Sequence, residues 1–367
     1  MEECALTEEL IGYDTSTAEG IRLCAGFVKG WLEARDIDVR AGSNNGLPVL
    51  AATVGAKEGP TIVLHGHLDV VPAHPEQFEP REDGDRLFGR GAYDMKGGLA
   101  SMMVAARDLS EQDAVRVHLV VVSDEESDEA TQRGSDYLVE QGYTGDFAIT
   151  GEPTDLHIGV QAKGVLAMRI EVSGKSAHGS TPWLGDNAVL KALDVFRQIE
   201  SMPFSRESSE FFDRPSISLG RIIGGDVINK VPDLCVMDVD VRYLPGQDVE
   251  AILAEIRAIP DTHVHTVFHR QPANVERDNP YVVALAEAVH EGTPAERISV
   301  GRDGASDAIS FIEAGVPAVE FGPEGAGHHG PEEWVSIPSL SRYRAALVEF
   351  VRLIAEQQLP TKHLRIA

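Results

Sequence analysis

Four short runs of β-branched and aliphatic residues, Thr61 to His65, Val115 to Val122, Phe147 to Thr150 and Val316 to Phe321, each lead into a segment that contains histidines or carboxylates. Continuous apolar runs of this length suit strands buried on both faces, as in a parallel sheet. Helical patterns lie between or beside them at Met95 to Leu109, Ser135 to Gln141, Pro280 to Glu291 and Leu340 to Gln357. Strands alternating with helices predict an α/β fold, a mainly parallel sheet with helices on both faces.

The pattern changes in the middle of the chain. A strand (Leu166 to Val172), a helix (Asp186 to Glu200), two strands (Ser216 to Ile223 and Leu234 to Tyr243), a helix (Val249 to Ile259) and a strand (Thr262 to His269) follow in order. This β-α-β-β-α-β succession predicts a ferredoxin-like α+β domain at 163–271. It would be inserted into a main domain made of 1–162 and 272–367.

A chain of 367 residues is too long for one small core, which fits that division. The net charge of −27 argues against nucleic acid or an anionic lipid surface as partner. No apolar run is long enough to span a bilayer, and the start, Met1-Glu2-Glu3-Cys4, is acidic where a signal peptide would be basic. Three scattered cysteines, Cys4, Cys24 and Cys235, exclude a disulfide framework and a cysteine-rich zinc site. A reducing, cytoplasmic location is the expectation.

The strand ends carry the chemistry. The first gives His65-Gly66-His67-Leu68-Asp69, the second Asp124-Glu125-Glu126, the third Gly151-Glu152-Pro153, and the fourth, a few residues on, His328-His329. In open α/β sheets, ligands bind beyond the carboxyl ends of the strands, so these clusters can converge on one crevice. Taken singly, each reads as an ordinary polar loop. Asp94, just before a helical pattern, reads alone as an N-cap.

Carboxylates with imidazoles and no thiolate suit zinc, cobalt or manganese better than magnesium. The candidates outnumber the ligands of one tetrahedral zinc, and two ions roughly 3.5–4 Å apart would use them all. Asp69, two residues from His67, is read as the carboxylate that orients its imidazole. In the Glu125-Glu126 pair, one side chain can bind metal while the other accepts a proton from water.

The stretches His65-Gly66-His67-Leu68-Asp69-Val70-Val71-Pro72, Gly89-Arg90-Gly91-Ala92-Tyr93-Asp94-Met95-Lys96-Gly97-Gly98, Asp124-Glu125-Glu126, Gly151-Glu152-Pro153-Thr154 and His329-Gly330-Pro331-Glu332-Glu333-Trp334-Val335 resemble the dinuclear zinc peptidases and deacylases. That family includes succinyl-diaminopimelate desuccinylase, acetylornithine deacetylase, aminoacylase and carboxypeptidase G. The resemblance implies two divalent ions, zinc first and cobalt or manganese otherwise. His67 and Glu152 would hold one ion, Glu126 and His329 the other, and Asp94 would bridge both. Glu125 would be the general base, with Asp69 behind His67.

The inserted domain is similar to the family's lid, which serves in dimerisation. By the same resemblance His178 would reach the partner subunit's site and donate to an oxyanion. Asn229, Arg242, Gly304 and Ser306 match positions near the substrate, and Arg242 suits a substrate carboxylate. Two departures stand out. Ser127-Asp128-Glu129 follows the Glu pair where many relatives have a glycine, and Glu324, Glu332 and Glu333 crowd the His329 loop.

The expectation is therefore a metal-dependent hydrolase, a homodimer through the lid, that cleaves the amide of a small carboxylate-bearing N-acyl amino acid or peptide. Succinyl-diaminopimelate desuccinylase or acetylornithine deacetylase activity leads, followed by an aminoacylase or a di- or carboxypeptidase. A catalytically silent binding protein should have lost Glu125 or a ligand, and a phosphoesterase lacks a P-loop pattern here.

Overall fold

A computed structural model describes residues 2–126, 132–289, 297–298, 300–302 and 307–361, which form two compact units. The first comprises Met1–Val160, Val275–Val300 and Asp307–Ala367, the second Gln161–Asn274 and Gly301–Ser306.

The first unit is a mixed α/β fold on one central sheet. Its strands include β1 (Val39–Asn44), β2 (Leu47–Gly55), β3 (Thr61–His67), β4 (Arg116–Val122) and β5 (Phe147–Thr150). They run in the order β1-β2-β4-β3-β5, and the strand Ala318–Glu320 lies beyond β5. β3 runs parallel to both β4 and β5, and the strand Ala318–Glu320 runs parallel to β5. β2 is antiparallel to both β1 and β4. The parallel strands are buried along almost their whole length, as their unbroken apolar sequences require.

Helices cover both faces. Val63, Val120, Val122 and Ala148 pack under Gly134–Glu140 and Ala308–Glu313, through Leu138 and Phe311. On the opposite pleat, a side chain at Gly66 would run into Met95 and Leu99, so the helix Gly97–Asp108 lies against that face. The helix Ile337–Gln357 packs on Gly97–Asp108 in turn. Among the described residues, no helix is long and apolar enough to cross a membrane.

The antiparallel edge is the main departure from a parallel sheet. Its hairpin turns at Asn45 and Gly46, both with positive φ (49° and 80°), the conformation that Asn-Gly supplies at least cost.

The second unit holds β6 (Gly164–Ser173), β7 (Ser216–Gly224), β8 (Leu234–Tyr243) and β9 (Thr262–Arg270) in an antiparallel sheet of order β7-β8-β6-β9. β8 alternates strictly, with Cys235, Met237, Val239, Val241 and Tyr243 buried and Asp238, Asp240 and Arg242 on the other face. The buried row packs against the helices Ala188–Ser201 and Val249–Arg257. Both helices start on side-chain caps, Asn187 and Asp248, whose carbonyl or carboxylate oxygens accept from first-turn N–H groups.

Candidate metal centre

β3, β4 and β5 end side by side, and the polar segments after them meet in space. His67, the last residue of β3, is fully buried. Its Nε2 lies 3.3 Å from Asp94 Oδ1 and 3.7 Å from Glu152 Oε1. On the other side of Asp94, His329 Nε2 lies 3.5 Å from Asp94 Oδ2 and 2.9 Å from Glu126 Oε1. Asp94 thus turns one carboxylate oxygen to each imidazole. It does not cap the helix Gly97–Asp108, which starts without a side-chain cap.

The donor atoms fit divalent cations. One ligand atom each from His67, Asp94 and Glu152 lie within 4.8 Å of one another, as do those of Asp94, Glu126 and His329. Glu152 Oε1 is buried with no hydrogen-bond partner, which a cation would remedy. Nitrogen and carboxylate donors without sulfur suit zinc, cobalt or manganese.

Backbone packing explains why these side chains converge. Gly151 N donates to His65 O at 2.9 Å, which aligns the end of β5 with β3. A Cβ at Gly151 would stand 2.7 Å from Met95 Cε and 2.8 Å from Met102 Cε, so the glycine lets the adjacent helix approach the strand end. Gly91, at φ 81°, turns the chain toward Asp94 in a conformation that costs other residues energy.

Asp69 stands behind His67, but its carboxylate is not the nearest partner of that ring. His67 Nδ1 is 2.9 Å from the backbone oxygen of Asp69 and 3.7 Å from its Oδ1. Asp69 Oδ2 instead accepts from Glu126 N at 2.8 Å, so it positions the second cluster's glutamate as well.

Glu125 has a ligand atom within 4.8 Å of those of His67 and Glu126. Its carbonyl accepts from Arg133 Nη1 at 2.7 Å, and Asp124 O accepts from the same nitrogen. The Asp124 carboxylate accepts from Gly134 N and from Asn44 Nδ2. Burial pushes the Glu125 carboxyl up to about 8, with Asp307, Asp94 and Glu126 adding to the effect and His67 opposing it.

Sequence reasoning missed Arg90 and assigned Glu333 only surplus charge. Glu333 is buried; its Oε1 accepts from Tyr93 N and Asp94 N, both at 3.0 Å, and its Oε2 accepts from Arg90 Nη1 at 2.7 Å. Arg90 Nη2 donates to His329 O at 3.1 Å. Glu324 is likewise paired, with Arg342. The one available signal was a long, charged side chain set between Gly89 and Gly91.

Other expected positions sit differently. His65 is buried beside the cluster, its Nε2 2.9 Å from Ser135 Oγ and 3.4 Å from Asp307 Oδ2. His328 is exposed and makes ring contacts with Tyr93 and His329. In the second unit, His178 is exposed, with its Nδ1 2.8 Å from Ser180 Oγ, and the Asn229 carbonyl accepts from Gly179 N. Arg242 donates to Asp240 at 2.8 and 3.1 Å, a same-strand ion pair. Gly304, Ser306 and the segment Ser127-Asp128-Glu129 lie outside the described residues.

The imidazoles bind protons more tightly than usual. Asp94's hydrogen bond raises His329 to about 9 against the effect of burial, and Glu126 adds to it. Burial works against protonated His67, yet Asp94, Glu152 and Asp69 raise it well above its ordinary value. A cation must displace these protons, so apparent metal affinity should fall as pH drops below about 9. Titration of metal-stripped protein with Zn²⁺ at about pH 7 should therefore release protons, about one or more per chain. Calorimetry in two buffers of different ionisation enthalpy counts them. An affinity indifferent to pH would remove the histidines from the ligand set.

Residues 63–353 match the model of peptidase family M20/M25/M40. The succinyl-diaminopimelate desuccinylase of Gluconobacter oxydans is 32% identical over 319 residues, 80% of this chain and 81% of its own. Among solved structures, the aminopeptidase PepT from Bacillus cereus superposes with a TM-score of 0.80 at 21% identity, over 96% of this chain and 98% of that one. An M20 family metallo-carboxypeptidase, Sso-CP2 from Sulfolobus solfataricus, gives 0.76 at 19% identity, over 97% of this chain and 100% of that one. The chain belongs to peptidase family M20/M25/M40 and is an amidohydrolase or peptidase of that family.

Proposed function

We propose that this protein hydrolyses the amide bond of a small N-acyl amino acid or peptide bearing a carboxylate, as a succinyl-diaminopimelate desuccinylase or acetylornithine deacetylase does. The observation that carries the reading is Asp94, which divides its two carboxylate oxygens between His67 and His329 while Glu125 stands beside the cluster. His67 and Glu152 would hold one divalent ion, Glu126 and His329 the other, and Asp94 both. When bound, such ions supply Lewis acidity and lower the pKa of water. Zinc is the first expectation, with cobalt or manganese as the other candidates.

Glu125 takes the proton of the attacking water and returns it to the leaving amine nitrogen. Asp69 keeps His67 and Glu126 in place. His178, supplied by a partner protomer, donates a hydrogen bond to the oxyanion. Asn229, Gly304 and Ser306 contact the substrate, and Arg242 exchanges Asp240 for the substrate carboxylate, a bidentate pairing that guanidinium favours. A dipeptidase, carboxypeptidase or aminoacylase is the second reading, favoured by the two peptidase structures that share the fold.

Homodimer formation through the lid is part of the proposal. β7 is an edge strand, and Ile223 on it and Leu190 on the neighbouring helix are 57% and 60% exposed. Exposed apolar side chains at a sheet edge favour pairing with a second copy. Leu190→Glu combined with Ile223→Glu should yield a monomer in sedimentation; a wild-type monomer would sink the dimer. A cytoplasmic location suits Cys4, Cys24 and Cys235, all free thiols.

The deciding assay is a panel of N-succinyl and N-acetyl amino acids and dipeptides, run with added Zn²⁺ or Co²⁺. Preference for the N-succinyl or N-acetyl substrates supports the first reading, and preference for dipeptides the second. No metal-dependent hydrolysis of any member would refute both.

A further inference from the structure

A second polar cavity lies at the opposite end of β4 from the metal cluster. Its volume is about 590 Å³, within the usual range for small-molecule sites. Alternate residues of three neighbouring strands form its floor. Arg40 on β1 stands opposite Ala51 on β2, while Thr53 and Gly55 stand opposite His118 and Arg116 on β4. The helix Gly134–Glu140 covers the same pleat over Val49 and Val120 and then stops, which leaves this corner open. The small residues Ala51 and Gly55 keep the floor low, and Tyr143 closes one side.

The charge of the cavity runs against that of the chain. Asp and Glu outnumber Lys and Arg by 59 to 32, and many basic side chains elsewhere pair with carboxylates, as Arg169 and Arg221 pair with Asp238. Arg40, Lys57 and Arg116 all line the cavity, yet among the described residues none has an ion pair with a carboxylate. Arg116 Nε donates to Ala56 O at 3.4 Å, which leaves its two terminal nitrogens for another acceptor. One carboxylate, Asp38, shares the lining. His118, 8% exposed, has its Nδ1 2.8 Å from Thr53 Oγ1 and its ring nearly perpendicular to that of Tyr143, with centroids 5.5 Å apart. Burial, helped by Arg116, pushes this imidazole down to about 4, so at neutral pH it is an uncharged donor or acceptor.

We propose that this cavity binds a small, multiply charged oxyanion through Arg40, Lys57, Arg116 and His118. Two guanidiniums supply forked donors for phosphate or carboxylate oxygens, and the ammonium adds a point charge. His118 stands four strand residues, roughly 13 Å, before Val122, which pairs with His67 at the metal-centre end of β4, so the occupant is distinct from the substrate of the metal centre.

The test uses the metal-loaded full chain, titrated at low ionic strength with inorganic phosphate, sulfate and tricarballylate. Heat and the ring resonances of His118 are followed together. At least one anion should bind and move the His118 signals, and the three arms separate phosphate, sulfate and carboxylate chemistry. Arg40→Glu, at an exposed position, and Arg116→Gln should each weaken binding roughly tenfold or more, since each removes charge-assisted bonds. Failure of all three anions to bind would overturn the site. So would binding that leaves His118 unmoved and is equal in both variants, because the anion would then sit at the metal centre.

Discussion

Replacing Glu125 by glutamine should leave the metal content of the protein unchanged and lower turnover by about 10²–10⁴-fold, the range for losing a general base. The two effects separate because Glu125 lies beside the clusters without belonging to either trio that contains Asp94. Its backbone is held by Arg133 and its neighbour Asp124 by Gly134 and Asn44, none of which the substitution touches. Glutamine keeps the shape but cannot accept a proton. Metal analysis with steady-state kinetics reads both numbers, and near-normal turnover would take the proton-transfer role away from Glu125.

Glu333→Gln should weaken metal binding by about 10–100-fold, although no atom of Glu333 belongs to the ligand set. One buried carboxylate fixes the backbone of Asp94 and, through Arg90, the carbonyl of His329. Losing its charge leaves the buried Arg90 without a charged partner, a change that costs up to about 3–5 kcal/mol of stability. Thermal melts and metal titrations on the folded fraction separate the two effects. A variant that melts earlier but binds metal as tightly as the wild type would show that the Arg90–Glu333 pair is merely structural.

The outline of this architecture was legible because its strands are buried on both faces. Runs such as Val115 to Val122 have no polar face to disguise them, and β4 begins within one residue of that expectation. The hairpin of β1 and β2 was not read. β1 is Val-Arg-Ala-Gly-Ser-Asn, with too few apolar residues to stand out, although Asn45-Gly46 is itself a hairpin signal. The candidate metal ligands stood out as recurring histidines and carboxylates at strand ends, and the fold brings them together. Their supports were not, because Arg90 and Glu333 are 243 residues apart and neither has a local pattern that demands the other. Only the fold makes them neighbours. The same holds for Asn44, which steadies the Glu125 loop from 80 residues away.

All of the candidate ligands, from His67 to His329, lie in the discontinuous first unit, and none lies between Gln161 and Asn274. If the inserted unit supplies the substrate contacts, the two tasks are carried by separate stretches of the gene. Mutations in the insert could then redirect the enzyme to a new acyl group or amine while the hydrolytic apparatus is inherited intact. Such modularity would let one lineage diversify into deacylases and peptidases without passing through an inactive ancestor.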